Sequence, residues 1–114
     1  MKLIKIKDLP GVVPPGHYDL IGRKIIDRDL GSRAMRTYLI HMDPNGRTDP
    51  HAHTDAEQLF FVLKGEVSIK GKEGELRVKE GEAAFVPAGD SHLVANGIEG
   101  ETEYLAITSY FKPE

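Results

Sequence analysis

His51-Ala52-His53 and, further along the chain, His92 are the residues whose types and spacing are best suited to chemistry. On a strand, positions i and i+2 project from the same side, so His51 and His53 would offer two imidazoles to one pocket. That arrangement suits chelation of a metal ion. His92 follows Pro87-Ala88-Gly89-Asp90-Ser91, a turn that ends one strand and re-aims the next residues. Two strands could thus deliver three rings to one point. A His-x-His pair is also common on half-exposed strands, so the residues alone leave ordinary surface chemistry open. Cysteine is absent, which excludes disulfide staples, thiolate metal sites and a cysteine nucleophile. Any metal held here must take nitrogen and oxygen donors.

Positioning such rings requires strands, and the middle of the chain spells them out. Glu66-Val67-Ser68-Ile69-Lys70 and Glu75-Leu76-Arg77-Val78-Lys79 alternate polar and apolar residues with period two, the pattern of a strand with one buried face. Gly71-Lys72-Glu73-Gly74 lies between them, and the three segments predict a β-hairpin. Leu59–Leu63 and Ala83–Val86 are short apolar runs that fit strands buried on both faces or set in a barrel wall. Met35–Met42 and Thr102–Thr108 are rich in β-branched and aromatic residues and complete the series.

Asp43-Pro44-Asn45-Gly46 and Asn96–Gly100 are expected turns between these strands. Thr54-Asp55-Ala56-Glu57 has the spacing of a helix capping box. The apolar run after it is too short and too rich in phenylalanine for a helix. In the N-terminal third, Pro10-Gly11-Val12-Val13-Pro14-Pro15-Gly16 breaks any helix, and extended edge strands are expected.

The 114 residues suit one domain, 39% apolar and 29% charged, an ordinary balance for a folded globular chain. A formal charge of −3 with lysines and glutamates intermixed offers no basic stripe for nucleic acid. No apolar run approaches the ~18 residues of a membrane span. The lysine-interrupted start, Met1–Asp8, lacks the apolar stretch of a signal peptide. A cytoplasmic location is therefore expected, with neither nucleic acid nor membrane as partner.

Two longer motifs carry a family likeness. The first begins at Gly46, passes through His51 and His53, and ends at Gly65; the second is Gly81-Glu82-Ala83-Ala84-Phe85-Val86-Pro87-Ala88-Gly89-Asp90-Ser91-His92-Leu93-Val94-Ala95-Asn96. Across residues 46–96 this resembles the cupin superfamily, in its small single-domain form. The second motif meets every position of the family pattern. The first departs from it by having four residues between Gly46 and His51, one fewer than the pattern. The resemblance implies an all-β fold, a double-stranded β-helix or jelly-roll barrel, in one domain over residues 1–114. It also implies a homodimer in which N-terminal strands, about residues 1–35, are exchanged.

The same resemblance implies a metal centre with His51, His53 and His92 as ligands and a fourth ligand at Gln58 or Glu57. Glu57 has an acceptable distance from His53, but Gln58 satisfies both that gap and the six-residue gap to Gly65. Pleating then places Gln58, Phe60 and Val62 on one face. Gln58 is the preferred ligand and Glu57 its rival.

One divalent transition metal is expected, drawn from manganese, iron, nickel, cobalt, copper and zinc. Three neutral imidazoles and an amide leave its +2 charge uncompensated, which favours an anionic substrate. The first functional reading is an enzyme acting on a small oxygen-rich anionic metabolite by lyase, isomerase, decarboxylase or dioxygenase chemistry. The second is a non-enzymatic small-molecule-binding module with a structural metal. Tyr104, Tyr38, Arg36, Phe60 and Phe85 are further candidates for the pocket lining, with core packing or surface placement equally open. His17 and His41 lie outside the motifs and are expected to be structural.

Overall fold

The computed structural model describes residues 1–112. Its strands are β1 (His17–Ile26), β2 (Met35–Thr48), β3 (Ala56–Lys64), β4 (Glu66–Gly71), β5 (Gly74–Lys79), β6 (Ala83–Val86), β7 (His92–Asn96) and β8 (Thr102–Tyr110). Short 3-10 turns occupy Ile6–Asp8 and Arg28–Leu30. The expected hairpin forms: β4 and β5 pair from Glu66↔Lys79 to Gly71↔Gly74, leaving Lys72 and Glu73 as the tip. No helix forms at Thr54–Glu57, because β3 already begins at Ala56.

All strand pairs are antiparallel, in the order β5-β4-β7-β2-β8-β3-β6, with β1 added at β2 as an edge strand. β2 joins the two halves of the barrel. Its first part pairs with β8 from Met35↔Ser109 to Met42↔Thr102, and Arg47 near its end pairs with Ala95 of β7. This is the expected all-β jelly-roll barrel.

One expected turn is corrected by this arrangement. Asp43–Gly46 does not reverse the chain but lies within β2. The register against β1 jumps there, from Leu20↔Met42 to Tyr18↔Arg47, and Asp19 takes a φ of 51°. Proline and glycine serve a corner, where a long strand bends from one sheet half to the other. Asn96–Gly100, by contrast, does turn the chain between β7 and β8. Asn96 Nδ2 donates to the carbonyls of Asp43 and Gly100, and its Oδ1 accepts from the Ile98 amide. One side chain thus ties the turn to the β2 corner.

Inside the barrel, side chains stand in rows set by register. Arg36, Thr108, Gln58 and Val86 make one row, Tyr38, Ala106, Phe60 and Ala84 the next, and Ile40, Tyr104 and Val62 the third. Met42, Val62, Val67 and Val94 are essentially inaccessible to solvent, each contributing about 1.5–3 kcal/mol by burial. Ala83–Val86, left open between double burial and a barrel wall, proves to be wall. Ala84 and Val86 face inward, while Phe85 is 61% exposed.

Candidate metal centre

The two histidine segments are brought together by a pair of backbone hydrogen bonds. The His51 amide donates to the His92 carbonyl and the His92 amide to the His51 carbonyl, each at 2.9 Å. The ring centroids of His51 and His92 consequently lie 4.4 Å apart, and those of His51 and His53 5.4 Å apart. Gly89 donates its amide to the His53 carbonyl at 2.7 Å, fastening the Pro87–Ser91 turn against the same segment.

Gln58 points inward from β3 and is buried, as is His92. Glu57, one residue earlier, projects to the opposite side of the sheet by the pleat. Of the two candidates for the fourth ligand position, the geometry therefore joins Gln58 to the histidines. His51, His53 and Gln58 line a cavity of about 360 Å³, while His92, whose Nε2 lies 3.0 Å from Gln58 Oε1, borders a second hollow with Val86 and Asp90. Arg36, Tyr38, Phe60 and Tyr104 also line the first cavity, whereas Phe85 is on the outer face. The alternation of only four residues in β6 left that side undetermined.

His17, outside the motifs and expected to be structural, borders the cavity beside Pro14 and Pro15. No local pattern announces this, since its position depends on where β1 crosses β2. Thr48 and Thr108 were missed for the same reason and also line the cavity. His41 points outward from β2. Among the described residues, it forms with Asp43 and Glu101 a group whose candidate ligand atoms all lie within 4.8 Å of one another. Its imidazole already meets Glu101 at 3.3 Å and Glu103 at 3.7 Å, on the protein surface.

The donor chemistry of the inner cluster fits a cation. His92 Nδ1 lies 2.8 Å from the Asp90 carbonyl oxygen, and His51 Nδ1 lies 3.1 Å from that of Asp49. Each Nδ1 therefore carries its proton and each Nε2 presents a lone pair. His92 Nε2 faces Gln58 Oε1 at 3.0 Å, so two acceptors converge. A cation, a second proton on His92 or an overturned Gln58 amide would relieve this. Gln58 Nε2 lies 3.1 Å from Thr108 Oγ1, a hydroxyl that can accept from the amide nitrogen or donate to the amide oxygen. Burial disfavours the second proton. It pushes the His92 pKa down, opposed by the Asp90 carbonyl and assisted by His51 and His53.

His53 is also held below the ordinary value, by burial first and then by the charges of His51 and Arg36, with Asp55 opposing. Both rings thus take up protons less readily in the fold than in the unfolded chain, where the value is about 6.5. Stability of the metal-stripped protein should be full above that pH and fall below it, as the unfolded state gains protons the fold refuses. Urea midpoints measured on either side of pH 6.5 should show this loss on acidification. His53→Asn/His92→Asn should flatten the dependence; a wild-type midpoint that holds steady or rises on acidification would contradict the account.

A family model described as "Cupin domain" matches residues 38–108. Among solved structures, the polyketide cyclase RemF from Streptomyces resistomycificus is 28% identical, with a TM-score of 0.83, covering 100% of this chain and 82% of that one. A predicted oxalate decarboxylase from Thermotoga maritima shares the fold at 16% identity, with a TM-score of 0.84 and coverage of 96% and 100%. An oxalate-binding protein, also from Thermotoga maritima, is 24% identical over 66 residues, which span 58% of this chain and 54% of that relative.

Proposed function

The chain belongs to the cupin family, and on that premise we propose that it is a metal-dependent enzyme acting on a small, oxygen-bearing, anionic metabolite. The reaction is of the lyase, isomerase, decarboxylase or dioxygenase class. The observation that carries this reading is the placement of His51, His53 and Gln58 on the lining of an open cavity of about 360 Å³, with His92 Nε2 3.0 Å from Gln58 Oε1. That volume is within the range of small-molecule sites. In this reading the three imidazoles and the Gln58 amide oxygen hold one divalent transition metal. When bound, the ion supplies Lewis-acid polarisation of substrate oxygens at positions the protein leaves open.

The rest of the work falls to the chain's own side chains. The backbone carbonyls of Asp49 and Asp90 fix the ring tautomers of His51 and His92. Thr108 Oγ1 hydrogen-bonds the Gln58 amide and restrains the side chain. Tyr38, Ile40 and Phe60 form walls against which a carbon skeleton can pack and from which they exclude water. Burial pushes the Tyr104 hydroxyl pKa well up, so this phenol stays protonated at neutral pH and can only donate or accept a hydrogen bond. Likeness to a polyketide cyclase supports an enzymatic role. Exposed Leu59, Leu63 and Phe85 on β3 and β6 support a homodimer as part of the same reading.

The oxalate-binding relative favours a second reading, a non-enzymatic binding module whose metal is structural. Azide added to the cobalt(II)-loaded protein distinguishes the two. An exchangeable coordination position should let azide shift the visible absorption bands. Bands that stay unchanged at saturating azide would mean a closed site and favour the module.

A further inference from the structure

We infer that Arg36 anchors a carboxylate at the far end of the substrate, which makes the substrate an elongated, flat carboxylate with its metal-chelating oxygens at the opposite end. The inference rests on the metal-centre reading above and specifies what the cavity admits. Arg36 belongs to the same inward row as Gln58, two strands away through Thr108. At the usual strand spacing their backbones are about 10 Å apart. The two positions therefore face one cavity from separate points, with Thr108 between them and, in the adjacent row, Tyr38 beside Arg36 and Phe60 beside Gln58. A molecule reaching from one to the other passes along aromatic walls, which suits a planar body.

The guanidinium is placed to receive an anion. Its centre stands 5.8 Å from the Tyr110 ring centroid, so a ring face holds it, leaving its forked N–H donors for another partner. Among the described residues lining the cavity, no other is arginine or lysine. The acidic lining residue, Asp49, already accepts a hydrogen bond from the Tyr18 hydroxyl at 2.9 Å. Arg36 also borders an outer hollow shared with Asp55 and Tyr110, so it stands at the rim. A neutral sugar would leave the guanidinium charge unanswered.

Calorimetric titration of the metal-loaded protein with 3,4-dihydroxybenzoate and with catechol tests this directly. Both probes carry the same chelating oxygens, and the first adds a carboxylate on the far side of the ring. Wild type should bind 3,4-dihydroxybenzoate at least about tenfold more tightly than catechol, through charge-assisted bonds to Arg36. In Arg36→Gln the two affinities should come within about threefold of each other, with metal content and catechol affinity unchanged. Arg36→Lys should keep part of the preference, as a charge without the fork. Equal binding of both probes by wild type, or a preference that survives in Arg36→Gln, would overturn the assignment. If metal-loaded wild type binds neither probe, the open metal centre itself is refuted and the anchor falls with it.

Discussion

Replacing His51 and His92 together by alanine should reduce the metal content of the tag-free protein from about one ion per chain to background. Both substitutions leave the backbone in place, so the reciprocal hydrogen bonds between residues 51 and 92 can persist. What is lost is two imidazole donors from a set of four, and with them most of the binding free energy. Elemental analysis after dialysis reads the stoichiometry. Melting temperature gives an independent reading, because a metal that binds only the fold raises wild-type stability by mass action. Added metal should raise it for wild type and not for the double variant. Equal metal in both proteins would refute the ligand assignment, as would a wild type that takes up none on reconstitution.

Gly65→Ala should cost about 3 kcal/mol or more of folding stability. Gly65 adopts a φ of +83°, where an L-residue is strained. An added Cβ would also run into Thr102 Oγ1 and approach the Glu101 carbonyl oxygen at 2.9 Å. Thr102 cannot yield easily. It is fully buried, accepts from the Glu66 amide at 3.2 Å and meets Asn96 Oδ1 at 2.9 Å. The clash would therefore disturb the start of β4, the β7–β8 turn and the β2 corner together. Gly81→Ala supplies the contrast, with a φ of +82° but nothing within 4 Å of its Cβ. It should cost only about 1–2 kcal/mol, the backbone penalty alone. Urea unfolding that gave the same midpoint for both variants would show that packing around Gly65 is not what matters.

Much of the fold and part of the site can be read from local pattern. Period-two alternation identifies β4 and β5, and the glycines at 71 and 74 place their turn, because both properties belong to neighbouring residues. The gap from Gly65 back to Gln58 likewise puts Gln58, Phe60 and Val62 on one face and Glu57 on the other. These depend on pleat and sequence distance alone. The three histidines as ligands are what the resemblance carried by the two motifs implies.

Which face is the inside depends on curvature and pairing, and there local pattern fails. Phe60 and Phe85 are equally plausible lining residues by composition, yet the pairing of Phe60 with Ala84 and of Leu59 with Phe85 sends one ring inward and the other out. Asp43–Gly46 has every mark of a turn and becomes a corner, because β2 must serve both halves of the barrel. His17 reaches the cavity only through the placement of β1 on β2. Arg36 joins Gln58 only through β8. The sequence by itself determined the strands, their two faces and the candidate ligands, since these follow from interactions a few residues long. Tertiary structure alone decided that His17 borders the cavity and that Arg36 shares an inward row with Gln58, because those juxtapositions are made by hydrogen bonds between strands distant in the chain.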